Sequence, residues 1–187
     1  MDQQEAAARR AAIVCGFGAA VLYFAAGWLL GQCLPEQPLL CTLLQPVPVL
    51  LWAKRRGQAL GLCRPKSCGA APAVLFGALA LAAAWLLPAA GSPVVSIAGV
   101  MRLCFAVPLA EELVFRGAVQ GFLQPLGSRA ASLTTAVLFA VQHGGAAGML
   151  YALCMGLALG WLRERTQSVL PCILLHGVNN LLVWLAG

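Results

Sequence analysis

Long apolar stretches separated by short polar ones run along the whole chain. Seven can be distinguished, and they cover residues 11–31, 38–53, 71–87, 94–123, 128–143, 146–162 and 169–186. A helix that crosses a membrane needs about 20 mostly apolar residues, whereas the strands of a membrane barrel alternate in polarity over about 10. The pattern therefore predicts an all-α transmembrane helix bundle of six or seven spans. The stretch 38–53 is short and contains Pro46 and Pro48, so it either crosses the membrane or re-enters it.

The composition favours the same class of protein. Hydrophobic residues make up 61% of the 187-residue chain and charged residues only 10%, with a mean hydropathy of +0.85. Soluble domains contain about 25% charged residues, so an ordinary soluble enzyme, a disordered segment and a secreted disulfide-rich domain are excluded. No internal repeat and no linker is visible, which predicts one membrane-embedded domain over residues 1–187.

The basic residues predict how the bundle is oriented. If the N-terminus is cytoplasmic, ten of the 12 Lys and Arg residues fall in cytoplasmic segments, where membrane proteins carry an excess of them. The ten are Arg9, Arg10, Lys54, Arg55, Arg56, Arg64, Lys66, Arg129, Arg163 and Arg165. They lie in short juxtamembrane loops without interleaved aromatic residues, so the net charge of +6 indicates no nucleic-acid partner.

Four charged residues, Arg102, Glu111, Glu112 and Arg116, lie inside the fourth apolar stretch, where an ionisable side chain is costly and usually functional. Glu112 and Arg116 are four residues apart on one helix face, so we expect an ion pair. Adjacent helical residues project about 100° apart, so Glu111 points elsewhere as the less compensated carboxylate and is suited to act as a general base. Pro108, one turn earlier, is expected to kink the helix. The alternative is an ion cluster that only fixes helix packing, although two acids exceed what one arginine needs.

Both histidines of the chain also lie in apolar stretches. Phe139 and His143 are four residues apart, and so are His176 and Asn180. Each pair alone has an ordinary structural explanation, a helix cap in the first case and an interhelical hydrogen bond in the second. Together with Glu111 they offer a base, a residue that orients it and two donors for an oxyanion, which is what a hydrolase needs.

These three clusters, in this order, resemble the CPBP family (CAAX proteases and bacteriocin-processing enzymes, also called the ABI family). The family pattern is EExxxR, then FxxxH, then HxxxN or HxxxD, each on its own transmembrane helix. The sequence reads Glu111-Glu112-x-x-x-Arg116, Phe139-x-x-x-His143 and His176-x-x-x-Asn180, without departure. The resemblance covers about residues 94–184, half of the chain, within a motif-bearing core of about 94–186.

The resemblance implies an intramembrane glutamate endopeptidase that needs no cofactor. Carried over residue by residue, it makes Glu111 the general base that activates water and gives His143 the task of orienting that water. It makes His176 and Asn180 the oxyanion donors. The supporting residues are Glu112, Arg116 and Phe139. The implied partners are the lipid bilayer and a membrane-anchored protein or peptide substrate.

Other functions fit parts of the pattern. Glu111, His143 and His176 are suitable zinc ligands for a metal-dependent peptidase, although no HExxH helix is present. Cys172 lies four residues before His176, as the nucleophile of a cysteine peptidase would. Membrane-embedded acids and histidines also occur in transporters and proton relays, although no inverted repeat is visible here. A non-catalytic scaffold or immunity protein is a further alternative.

The family resemblance implies one of three substrates, a prenylated CaaX tail, a leader peptide or a C-terminal sorting tail. Composition and depth then indicate which substrate and which location to expect. The Ala-, Leu- and Gly-rich sequence is typical of a bacterium with a GC-rich genome, which favours a leader peptide or a C-terminal sorting tail over a prenylated CaaX tail. We expect a multi-pass protein of the plasma (inner) membrane with a cytoplasmic N-terminus. At 1.5 Å per residue, Glu111 lies about 18 Å and His176 about 12 Å from the inner helix ends. We therefore expect the active-site cavity to open to the cytoplasm or the inner leaflet. Arg102 has no role in this scheme.

Overall fold

The structure is a computed structural model that describes residues 3–67, 69, 71–72, 75–79 and 96–186. Within these ranges it contains helices and no strand, so the predicted all-α class is confirmed. The helices are α1 (Gln3–Cys33), α2 (Pro38–Leu44), α3 (Val47–Arg55), a long helix α4 described below, α5 (Ser128–Ala140), α6 (Gly145–Thr166) and α7 (Leu170–Ala186). Residues 75–79 are helical as well, and most of the predicted span 71–87 lies outside the described residues.

Two of these helices, α1 and α6, are long and apolar enough to cross a membrane, and α7 is apolar but shorter. The predicted number of six or seven spans is therefore not confirmed. The helix α5 has 13 residues, which is fewer than the roughly 20 that a perpendicular crossing needs.

The apolar stretch 38–53 is two short helices and not one. The first, α2, ends at Leu44, and α3 begins at Val47 with a proline on either side of that residue. Proline lacks the amide hydrogen that a continuing helix needs, but it fits the first turn of a new one. At the break, Gln45 Nε2 donates a hydrogen bond to the Tyr23 carbonyl oxygen of α1 at 3.3 Å. Both short helices contact α1.

The helix α4 is continuous, but its width changes along its length. Its successive segments are Ile97–Met101 (α), Arg102–Ala106 (π), Val107–Glu112 (α), Leu113–Val119 (π) and Gln120–Leu123 (α), followed by the 3₁₀ turn Gln124–Leu126. Inserted π turns occur frequently at functional sites. Glu111 and Glu112 lie at the end of the α segment that separates the two π segments.

Pro108 accounts for the first π segment. The Val107 N–H donates to the carbonyl of Arg102, five residues back. At the same spacing the next donor would be Pro108, bonding to Leu103, but proline has no N–H. Asn180 of α7 supplies the missing donor, because its Nδ2 donates to the Leu103 carbonyl oxygen at 3.0 Å. The kink expected at Pro108 is therefore a widened turn that α7 completes.

Close helix contacts bring α1, α4, α5 and α6 around one core. The helices α5 and α6 approach so closely that a Cβ on Gly156 would lie 3.0 Å from the Ala136 Cα. On the other side of α4, the Tyr23 ring of α1 meets the Phe115 ring edge-on, with centroids 5.6 Å apart. Phe115 meets Phe139 of α5 in the same way at 5.3 Å. This aromatic row lies beside the charged residues of α4.

Candidate active site

Glu112 and Arg116 form an ion pair inside the bundle. Arg116 Nη1 donates to Glu112 Oε1 at 2.9 Å, and neither side chain has exposed surface. Arg116 Nη2 donates to the Gly156 carbonyl oxygen of α6 at 3.3 Å, and the guanidinium carbon lies 4.4 Å from the centre of the Phe139 ring. These contacts offset the cost of removing a guanidinium from water. The pairing predicted from the i,i+4 spacing is present, and it joins α4 to α5 and α6.

His176 approaches the same carboxylate from α7. Its Nδ1 lies 2.8 Å from Glu112 Oε1, and its Nε2 lies 3.8 Å from Glu111 Oε2. The Phe139 ring meets the imidazole edge-on, with centroids 5.9 Å apart and an interplanar angle of 80°. The imidazole therefore stands between two adjacent carboxylates, with one nitrogen facing each. The sequence placed His176 with Asn180 and did not predict its contact with Glu112.

Glu111 has weaker partners than Glu112. Its Oε1 accepts a hydrogen bond from Gln142 Nε2 at 3.3 Å, and its Oε2 faces His176. No Arg or Lys forms an ion pair with it within the described part of the chain. Its side chain keeps 13% of its surface exposed, whereas that of Glu112 keeps none. The Glu112 carboxylate is thus neutralised and enclosed in the core, whereas the Glu111 carboxylate is partly accessible.

His143 lies just beyond the end of α5, although a helix was predicted as far as residue 143. The helix ends at Ala140, and the His143 Nδ1 lies 3.0 Å from the Phe139 carbonyl oxygen, with the two rings 4.9 Å apart. Because a carbonyl oxygen only accepts, Nδ1 carries the hydrogen and Nε2 is left for other partners. Gly145 has φ +70°, a conformation that favours glycine, and α6 begins there.

Asn180 is tied to the backbone of α4. One hydrogen of its side-chain amide is used in the bond to the Leu103 carbonyl, and the amide has a second hydrogen for another acceptor. The preceding residue, Asn179, accepts a hydrogen bond from the Tyr151 hydroxyl at 2.6 Å, which joins α7 to α6.

Five of the seven residues selected from the sequence are therefore in one connected group, which consists of Glu111, Glu112, Arg116, Phe139 and His176. The other two, His143 and Asn180, are half-buried and bond to backbone carbonyls, and among the described residues neither is hydrogen-bonded to Glu111.

Two polar contacts near the site were missed by sequence reasoning. Gln142 is not among the residues selected from the sequence, yet its amide is a hydrogen-bond donor to Glu111. Its place directly before a motif histidine was the one available signal. Arg102 Nε donates to Thr42 Oγ1 of α2 at 2.9 Å. That contact joins residues 60 positions apart. A contact between residues so distant in the sequence produces no local sequence pattern from which it could be predicted.

The structure also bears on the other peptidase classes. A cysteine nucleophile must be reachable as a thiolate, but Cys172 is fully buried and its Sγ lies 3.5 Å from the Leu159 carbonyl oxygen. Among the described residues, no three His, Cys, Asp or Glu side chains are grouped as ligands of one metal ion. The arrangement of Glu111 beside an imidazole, with a buried ion pair behind it, is suited to taking a proton from water.

Comparison with known proteins identifies a family over the part of the chain that holds this site. No curated protein and no solved structure matches the chain. A family model described as type II CAAX prenyl endopeptidase Rce1-like matches residues 92–182, the interval that contains every motif position named above. Over this interval the chain belongs to the Rce1-like CAAX endopeptidases, which are part of the CPBP family that its motifs resemble.

Proposed function

We propose that this protein is an intramembrane endopeptidase that hydrolyses a peptide bond of a membrane-associated protein or peptide with water activated by Glu111. Membership of an endopeptidase family supports the reaction class. The observation that carries the choice of base is the contrast between two adjacent acids. Glu112 is fully buried and paired with Arg116, whereas Glu111 is partly exposed and faces an imidazole nitrogen.

In the proposed reaction, the water oxygen attacks the carbonyl carbon of the substrate peptide while Glu111 takes a proton from that water. His143 orients the water. The carbonyl oxygen becomes an oxyanion, to which His176 and the second amide hydrogen of Asn180 donate hydrogen bonds. When the C–N bond breaks, Glu111 returns its proton to the leaving nitrogen, so that a carboxyl group and an amine are released.

The proposed substrate is a leader peptide or a C-terminal sorting tail held at the inner membrane of a bacterium. No cofactor takes part in this proposal. The mean hydropathy of +0.85 and the basic residues near the helix ends support a multi-pass protein with a cytoplasmic N-terminus. A site that opens to the cytoplasm or the inner leaflet would receive such a tail from its own membrane.

The test is co-expression of candidate tailed substrates with the wild type, Glu111→Gln and Glu36→Gln. Glu36→Gln is the matched control, because it makes the same chemical change at an exposed acid between α1 and α2. We expect processing by the wild type and the control and none by Glu111→Gln. Processing that survives Glu111→Gln contradicts the proposal.

Two additional arms separate this mechanism from the alternatives. Purified enzyme treated with a chelator is expected to keep its activity, and loss that zinc restores would indicate the metal-dependent peptidase. Cys172→Ser is expected to process normally. A prenylated CaaX peptide belongs in the substrate panel, and its cleavage in preference to the tails would replace the proposed substrate.

A further inference from the structure

One oxygen of Glu112 serves two partners from different helices. Its Oε1 accepts from Arg116 Nη1 at 2.9 Å and lies 2.8 Å from His176 Nδ1. Among the residues that the structure describes, its Oε2 and Arg116 Nε have no hydrogen-bond partner, although both are buried. Arginine and carboxylate commonly pair through two parallel hydrogen bonds. Here the carboxylate is turned so that the oxygen it shares with Arg116 also meets His176.

This geometry determines where the His176 proton sits. An ionised carboxylate only accepts hydrogen bonds, so Nδ1 must carry a hydrogen to bond to it at 2.8 Å. The adjacent guanidinium keeps Glu112 ionised, because an arginine stays protonated and a buried cation needs an anion beside it. The proton on one imidazole nitrogen is in general set by the partner of the other. Neutral His176 therefore has a bare Nε2, and that nitrogen faces Glu111.

We propose that Glu112 is a positioning residue that holds His176 with its hydrogen on Nδ1, so that Nε2 is the nitrogen that works at the site. The inference rests on the proposed function, because it assigns a task within the same site. It also gives Glu112 a role beyond neutralising Arg116.

A consequence follows for the oxyanion. With Nδ1 already committed to Glu112, His176 donates from Nε2 only when the ring carries two protons and a positive charge. Two cations, Arg116 and the protonated His176, then lie beside two carboxylates, those of Glu112 and Glu111. The active site then contains an imidazolium facing the carboxylate of Glu111 across 3.8 Å. His176 keeps both protons during the reaction, while Glu111 alone exchanges one with water and the leaving nitrogen.

Nuclear magnetic resonance of the full chain in detergent micelles tests this assignment without a substrate. The chain has only two histidines, so ¹⁵N-histidine labelling gives two imidazole signal sets, and His143→Gln assigns them. At a pH where His176 is neutral, we expect its hydrogen on Nδ1, whereas free histidine in water favours Nε2. A neutral wild-type His176 with its hydrogen on Nε2 would overturn the proposal while leaving the peptidase proposal intact.

A double variant separates positioning from simple charge pairing. Glu112→Leu with Arg116→Met removes both charges together, which avoids leaving one ion uncompensated in the core. We expect His176 to lose its preference for Nδ1–H and the processing rate to fall by about 10²–10³-fold, the range for the loss of one oxyanion donor. If Glu112 only neutralises Arg116, the folded double variant keeps both the Nδ1 signal and the rate, and the proposal is wrong.

Glu164→Leu is the matched control. This carboxylate also accepts side-chain hydrogen bonds within the bundle, from Gln120 Nε2 at 2.8 Å and Gln124 Nε2 at 2.5 Å, but it contacts neither histidine. We expect unchanged histidine signals and unchanged processing. A change of the His176 signal in this variant equal to that in the double variant would show that the effect is not specific to Glu112. If processing instead survives Glu111→Gln, the peptidase mechanism fails, whereas the NMR result on Glu112 stands.

Discussion

Glu111 and Glu112 are neighbours in the chain, yet removing them should lower the stability of the protein by different amounts. Glu112→Ala leaves the fully buried Arg116 without its anion, and breaking a buried pair in this way costs about 3–5 kcal/mol. Glu111→Ala removes a partly exposed carboxylate with one hydrogen bond of 3.3 Å, so we expect a cost of about 1 kcal/mol or less. Denaturant unfolding in micelles measures both, and equal losses would contradict the contrast between the two sites.

Gln142 is expected to contribute to activity through Glu111. Gln142→Leu removes the hydrogen bond to Glu111 Oε1, and we expect processing to fall by about tenfold, because one lost bond of about 1.4 kcal/mol has that effect. Gln142→Glu should cost more, since it brings a second carboxylate against Glu111. Gln37→Leu, at an exposed glutamine outside the site, is the control. A rate for Gln142→Leu equal to that of the control would remove Gln142 from the site.

The residues differ in how far the sequence could predict their contacts. The pairing of Glu112 with Arg116 follows from helix geometry, because four residues bring both to one face. The bond between Glu112 and His176 joins positions 64 apart, so it depends on how α7 packs against α4. The motif residues could thus be identified from the sequence, but the contacts between motif residues on different helices could not be predicted from it.

At the scale of the helices, Pro108, Leu103 and Asn180 form one unit. Asn180→Leu leaves the Leu103 carbonyl without its donor, which we expect to cost about 1–3 kcal/mol. Pro108→Ala supplies an N–H to that carbonyl, so Asn180→Leu should cost less in its presence. The double-mutant cycle is expected to show a coupling of about 1 kcal/mol. Additive free energies of unfolding would mean that Asn180 does not replace the hydrogen bond that Pro108 removes.

Gly177 lets α7 approach this widened turn. A Cβ at Gly177 would lie 2.5 Å from the Cys104 carbonyl oxygen, which is backbone and cannot turn aside. Gly177→Ala is therefore expected to destabilise the protein by about 1–3 kcal/mol. No atom of the described residues lies within 4 Å of a Cβ placed on Gly148 of α6, so Gly148→Ala should gain up to about 1 kcal/mol of helix propensity. Loss of stability at both positions, measured by the same unfolding assay, would argue against a specific contact at Gly177.

Hydropathy predicted the class of the bundle but not its division into helices. The predicted stretches 146–162 and 169–186 correspond closely to α6 and α7. The first contains no proline, and Pro171 of the second lies in the first turn of α7, where proline fits. The stretch 38–53 is mostly apolar and carries no charged residue, yet it is divided between α2 and α3 at Pro46. Average hydrophobicity does not register the loss of a single backbone donor, and for this reason the count of spans could not be derived from it.

For the whole molecule, basic side chains and a docked loop mark one end of the bundle. Residues 61–66 bond to the turn between α6 and α7, with the Lys66 N–H donating to Thr166 and the Val169 N–H donating to Gly61, both at 2.9 Å. The exposed basic residues at this end include Lys54, Arg55, Arg64, Lys66, Arg129 and Arg165. An excess of such residues is expected on the cytoplasmic side.

The direction of α1 indicates which of its residues lie on the side of the membrane opposite the basic end. Gly16 of α1 packs against Leu123, near the end of α4 and therefore near the basic end. The helix has 31 residues and is about 46 Å long at 1.5 Å per residue, which exceeds the roughly 30 Å of a hydrocarbon core. Cys33 ends this helix, so it lies on the side opposite the docked loop that contains Cys63. Both cysteines are exposed.

Cysteine labelling can therefore test the orientation of the protein. In single-cysteine variants, a thiol reagent that does not cross membranes is expected to label Cys33 from outside intact cells and to label Cys63 only after the cells are permeabilised. The variant that retains Cys172 alone is the negative control in both conditions, because Cys172 is fully buried. Labelling of Cys63 and not Cys33 from outside would reverse the orientation. The basic end would then face away from the cytoplasm, and a site that opens toward it would receive its substrate from outside the cell.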